Sequence, residues 1–156
     1  MTSSLSVADL HKRAISKWLS ETFTFTHFIT LTSNSSDISV QSLRDRIKHW
    51  DALVNRELYG PKWRKHYDEI LWWFAFMEKP ETNPHWHLLC RFQDVDKLAK
   101  FTVVAEMMWL KTLPSGTVDI QPIKENPERV NDYVTKRVGS KIQYDHFITP
   151  DEFRRS

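Results

Sequence analysis

Apolar residues recur along this chain at two spacings, one helical and one alternating, and the switches between them mark out its elements. Val7, Leu10, Ala14 and Trp18 share one helical stripe, which predicts a short helix over 7–19. Residues 24–32, rich in Phe, Thr and Ile, predict a strand. Ser39 stands where a cap is needed for a long helix over 40–58, and Gly60-Pro61 ends it. A basic, aromatic loop over 61–67 follows, then an apolar strand over 70–78. Two prolines and an Asn within 79–84 predict a hairpin turn, with the partner strand over 85–92. Asp94 predicts the cap of a helix over 95–113, and Pro114-Ser115-Gly116 a turn into a strand over 117–123. Asn126 with Pro127 at the first helical position predicts a last helix, ended by Gly139, and the tail over 142–148 a further strand.

A hairpin among helix–strand alternations predicts an α+β domain with a central, largely antiparallel sheet flanked by helices. The 156 residues suit one domain, 1–156, with no repeat and no linker composition. Seven Trp and nine Phe are expected mainly as packing. The formal net charge of +2 excludes a polycationic coat for duplex DNA, so nucleic-acid binding would have to come from a local patch. Three glycines leave no glycine-rich phosphate loop. One cysteine, Cys90, leaves no internal disulfide and reads as a buried thiol. No apolar run reaches membrane-spanning length, and the first ten residues lack the apolar stretch of a signal peptide. The expectation is a soluble, intracellular protein without a membrane partner.

The pattern changes meaning at His85-Trp86-His87. On a strand, residues two apart share a face, so both imidazoles point the same way. Glu78 lies on the strand before the hairpin, and folding can bring its carboxylate to the pair. Two imidazoles and a carboxylate suit a divalent first-row ion such as Mn²⁺, with Mg²⁺ served through the oxygen ligand. Glu81 is the rival third ligand, although its place in the turn suits solvation better. The bland alternative is a chance pair hydrogen-bonded within the sheet.

In the last helix Val130, Val134 and Val138 form a core stripe, while Tyr133 and Lys136 lie on a neighbouring face with Arg129 one turn before. A phenol has a pKa of about 10 and needs nearby positive charge to act as a nucleophile at neutral pH. Taken alone, this is also the look of an amphipathic helix with one half-buried Tyr. Lys62, Trp63, Arg64 and Lys65 interleave basic and aromatic side chains, as a segment following single-stranded nucleic acid does. The alternative is a solvated basic loop with Trp63 packed inward.

His85-Trp86-His87 followed by Tyr133-x-x-Lys136 resembles the HUH endonucleases, in particular the single-tyrosine replication initiators of rolling-circle plasmids, phages and small DNA viruses. Residues 28–34, Phe-Ile-Thr-Leu-Thr-Ser-Asn, are similar to the "FTLT/N"-type first motif of that family, and residues 120–124 to the run-up to its third. The resemblance spans about residues 25 to 140. It implies a five-stranded antiparallel sheet, metal binding by His85 and His87 with Glu78 in the place of the third ligand, Tyr133 as nucleophile and Lys136 as an aid to positioning and charge. It also implies a single-stranded origin DNA partner with an adjacent hairpin. A separate helicase would unwind, since these 156 residues hold no helicase domain. The location implied is a bacterial or archaeal cytoplasm, or a host nucleus for a virus of eukaryotes. Thr30, Thr32, Asn34, Arg129 and Arg137 join the basic loop as candidate DNA contacts, with a plain strand role equally open for the first three. Tyr144 is the next candidate nucleophile. The runner-up readings are a single-tyrosine transposase, a non-catalytic origin-binding protein, and a metal-dependent hydrolase in which Tyr133 is structural.

Overall fold

The computed structural model describes residues 10, 13–15, 17–18, 21, 24–66, 70–123 and 146–154. Strict alternation in β1 (His27–Thr32) sends Ile29 and Leu31 to one side of a sheet and Phe28, Thr30 and Thr32 to the other. The same division runs through β2 (Trp72–Glu78) and β3 (His85–Arg91), joined by the hairpin expected from the two prolines. With β4 (Thr117–Pro122) and β5 (Phe147–Ile148) these strands form an antiparallel five-stranded sheet in the order β4–β1–β3–β2–β5. The α+β class and strand count match the expectation. Strands β1 and β2 start later than expected, at His27 and Trp72.

Two helices cover one face. Helix α1 (Val40–Tyr59) opens where Ser39 Oγ accepts from the Ser42 amide at 3.0 Å. It closes at Gly60, whose φ of +84° suits glycine and whose amide donates to the Arg56 carbonyl. Its buried Leu43, Ile47, Trp50, Val54 and Leu58 recur at helical spacing. Helix α2 (Leu98–Thr112) runs antiparallel to α1: Arg46 donates to the Thr112 carbonyl, Trp50 to that of Ala105, and Lys100 to that of Glu57. The expected cap at Asp94 is not used. A 3-10 turn, Val95–Lys97, precedes α2, and Asp94 accepts from the Tyr59 hydroxyl instead.

Four buried tryptophans lock these layers, each with its indole N–H on another element: Trp50 on Ala105, Trp73 on Asp51, Trp86 on Leu43 and Trp109 on Thr32. Gly116 is required where the turn into β4 passes this core, because a Cβ there would meet the Thr32 carbonyl at 2.5 Å and Trp109 Nε1 at 2.6 Å. Cys90 is buried as expected, and burial pushes its thiol well above the ordinary value.

The second face carries a smaller apolar cluster of Phe25, Phe28, Trp72, Phe74, Phe76 and Leu89. Positions 10, 13–15, 17–18 and 21 are helical, in line with the first predicted helix. Its expected stripe is a correction: Leu10, Ala14 and Trp18 are exposed, and the residue packed on the cluster is Ile15, with Trp18 touching Phe74 by a ring edge. No helix among the described residues is long and apolar enough to cross a membrane.

Asp51 on α1 is fully buried and accepts from Trp73 Nε1, Asn55 Nδ2 and the Arg154 guanidinium, which also donates to the Leu71 carbonyl. This ties the C-terminal segment to the core. Replacing Arg154 by Leu leaves a buried carboxylate without its countercharge, and we predict a loss of about 3 kcal/mol in urea denaturation; a loss below about 1 kcal/mol would contradict this account of the pair.

His27 lies on the helix-covered face beside Phe101, and burial lowers its pKa below the ordinary 6.5. The unfolded chain therefore takes up this proton first, and stability falls as pH drops below about 6.5. A His27→Gln variant is predicted to lose less stability than the wild type between pH 7.5 and 5.5, read as the shift in urea midpoint.

Candidate metal centre

Cross-strand register turns the second face into rows of side chains. One row reads Asp119, Thr30, His87, Phe76 and Phe147 across β4, β1, β3, β2 and β5. The next reads Thr117, Thr32, His85 and Glu78. Directly opposed residues in antiparallel strands have Cβ atoms about 5 Å apart. The histidines and Glu78 thus meet because Trp86, Leu88 and Cys90 alternate with them into the helix-covered core.

Glu78 Oε2 is in direct contact with His87 Nε2. On its other side His87 Nδ1 lies 3.2 Å from Thr30 Oγ1. The His87 ring is nearly parallel to Phe28 at 5.4 Å and tilted against Phe76 at 5.5 Å, and it is 5% exposed. His85 stacks at 6.3 Å from His87 and places Nδ1 against the Asn83 carbonyl. A carbonyl only accepts, so His85 Nδ1 is the donor there, and in the neutral ring Nε2 then presents a lone pair.

That donor chemistry fits a divalent ion. Each imidazole has its Nδ1 against a protein oxygen, which is how metal-ligating histidines are commonly oriented. The assembled geometry is a pair with a neighbour, not a closed cage: among the described residues no three His, Cys, Asp or Glu side chains are gathered to hold an ion. An ion between Glu78 and His87 would have to part their direct contact. Glu81 is exposed in the turn, as its expected solvation requires.

An acid–imidazole–hydroxyl line through Glu78, His87 and Thr30 also has the outline of a nucleophilic triad. Strand β1 is interior, so the amides around Thr30 are committed to ladders with β3 and β4. None is left to stabilise an oxyanion, which such chemistry needs.

Among the described residues, the two positive-φ residues other than glycine flank this end of the sheet, Asn34 at 52° after β1 and Lys79 at 54° after β2. Such backbone costs on the order of 1 kcal/mol per residue and concentrates at functional sites. Asn34 donates to the Ser115 carbonyl, and Thr32 bonds Thr117, so both side chains tie β1 to the start of β4.

The basic loop lies elsewhere. It enters the start of β2, six residues from Glu78, a separation on the order of 20 Å along the strand. Lys62, Arg64 and Lys65 are exposed there. Trp63 is not: it is 2% exposed, with the Arg64 guanidinium 4.4 Å from its ring centre and that of Arg154 at 5.8 Å. Its ring is packed inward, the alternative open in the sequence, and is not on the surface to stack a base. Arg129, Tyr133, Lys136, Arg137 and Tyr144, with the helix expected after Asn126, lie outside the described residues.

Sequence reading passed over Asp119, which shares the row of Thr30 and His87. Its signal is the alternation of Thr117, Asp119 and Gln121 with Val118 and Ile120, which places all three polar residues on the histidine face. An open cleft of about 700 Å³ between α2 and β4, lined by His27, Leu98, Val103 and Ile120, belongs to the opposite face.

No protein-family model, curated protein or solved structure matches this chain. The metal reading therefore stands on the side-chain chemistry. Calorimetric titration with Mn²⁺ is expected to show one site whose affinity drops at least about tenfold in His87→Ala and in Glu78→Gln, while Glu81→Gln binds as the wild type does. Equal binding by all variants would contradict the ligand assignment.

Proposed function

We propose that this protein nicks and rejoins single-stranded DNA at a replication origin by transesterification through a 5′-phosphotyrosine. The observation that carries the reading is the meeting of Glu78 with His87, and of His85 beside them, on the second face of a five-stranded antiparallel sheet. The order of the two motifs in the sequence supports it, since the tyrosine follows the histidines.

In this reading Glu78, His85 and His87 hold Mn²⁺ or Mg²⁺. When bound, the ion supplies Lewis acidity toward a non-bridging oxygen of the scissile phosphate. Tyr133 gives up its phenolic proton to solvent and attacks phosphorus. The P–O3′ bond breaks as the P–O bond to tyrosine forms, and the departing 3′-oxygen takes a proton from solvent to become a free 3′-OH. The ester bond energy is kept, so a later 3′-OH can reverse the step and rejoin the strand. Lys136 neutralises phosphate charge, with Arg129 and Arg137 as further contacts. Lys62, Arg64 and Lys65, exposed at the far end of the sheet, are further contacts for phosphates of the flanking strand. A hairpin beside the nick site and a separate helicase complete the proposal.

The test is a denaturing gel of protein, Mn²⁺ and single-stranded origin DNA. A covalent protein–DNA band is expected, lost in Tyr133→Phe and on chelation. Cleavage leaving free 5′-phosphate ends without a band would point to the hydrolase, and binding without cleavage to an origin-binding protein. A band surviving in Tyr133→Phe moves the nucleophile, with Tyr144 next in line.

A further inference from the structure

We propose that Thr30 is a positioning residue for His87: its hydroxyl accepts the Nδ1 proton and so turns Nε2 into a ligand for a divalent cation shared with Glu78. The inference rests on the divalent-ion reading of the Glu78–His87 pair and adds to it the group that makes His87 competent.

The neutral imidazole has one proton and two nitrogens, and its surroundings decide which nitrogen carries it. Thr30 Oγ1 is 3.2 Å from Nδ1, and Glu78 Oε2 faces Nε2. If Nε2 holds the proton, it donates to Glu78 and the pair is closed to any cation. If Nδ1 holds it, two lone-pair atoms confront each other, and only a positive charge between them makes the contact favourable. Thr30 is the switch between these states, because a hydroxyl can accept or donate.

Once Nε2 faces a cation, the neutral ring keeps its proton on Nδ1, and the Thr30 hydroxyl, 3.2 Å away, is placed to accept it. His85 has the matching arrangement, its Nδ1–H donated to the Asn83 carbonyl, so both rings offer Nε2. The His87 ring is held between Phe28 and Phe76, and Thr30 stands on an interior strand paired on both sides. A ring held in this way keeps Nδ1 at the Thr30 hydroxyl.

The wild type, Thr30→Val and Thr30→Ser separate shape from hydrogen bonding, since Val keeps the β-branched form and Ser keeps the hydroxyl. Mn²⁺ affinity is read from the electron paramagnetic resonance signal of the free ion, with thermal unfolding followed in parallel. Affinity is expected to fall about 10- to 100-fold in Thr30→Val and to stay within about twofold of wild type in Thr30→Ser, that 10- to 100-fold range being the usual effect of removing such a partner. Thr30→Ala is the second hydroxyl-free variant if Thr30→Val does not fold. In the ¹⁵N-labelled wild type loaded with diamagnetic Zn²⁺, long-range proton–nitrogen spectra are expected to place the His87 proton on Nδ1. Equal affinity in Thr30→Val, an equal loss in Thr30→Ser, or a proton on Nε2 of the loaded protein overturns the positioning role and leaves the metal site standing. A wild type that binds no Mn²⁺ removes the metal reading itself.

Discussion

The two-sided alternation of β3 is the constraint from which the rest of the molecule follows. Trp86, Leu88 and Cys90 must enter the core under α1 and α2, so His85 and His87 have to face the other way. A slip of one residue in the pairing with β1 or β2 would drive both imidazoles into an apolar core and expose Trp86. Burial of Trp86, with its indole N–H on the Leu43 carbonyl, therefore holds the register that brings Glu78 and Thr30 to His87. Core packing and the geometry of the candidate site are one arrangement seen from two faces of the sheet.

The path of the chain collects the polar machinery at one end of that sheet. The end of β1, the start of α1, the β2–β3 hairpin and the start of β4 all meet there. Ser33, Asn34 and Ser115 cross-link these segments: Ser33 Oγ donates to the Pro84 carbonyl, Asn34 to that of Ser115, and Ser115 Oγ to that of Ser33. The basic loop is at the far end with Trp63 sealed inside. The buried Asp51–Arg154 pair joins α1, β2 and the C-terminal segment beside that loop.

Local signals were legible in the sequence. The Ser39 cap, the Gly60 stop, the proline-marked hairpin and the strand alternation each depend on neighbours in the chain, and each stands in the structure. Contacts set by the fold were not. Nothing local distinguishes Asp94 as a helix cap from Asp94 as a partner of Tyr59, and the tertiary partner prevails. Trp63 reads the same exposed or buried until Arg154, far along the chain, arrives over its ring. The first helix is predicted by its period, but its inward side, marked by Ile15, is chosen by the Phe and Trp cluster of the sheet. In the candidate site the i, i+2 rule shows that His85 and His87 share a face, and the hairpin brings Glu78 alongside. Asp119 and the pairing of Thr30 with His87 depend on the register of β1 with β3 and β4, which no short motif encodes.

The most direct test of the central claim is paramagnetic broadening of histidine ring signals as Mn²⁺ is added to the intact protein. Seven histidines are distributed along the chain, so the measurement carries its own controls. The His85 and His87 resonances are expected to vanish first and together, at substoichiometric ion, ahead of those of His27, on the opposite face, and of His66, at the far end. Broadening that begins at His49 or His66, or that touches all seven alike, would contradict a divalent-ion centre built on Glu78, His85 and His87.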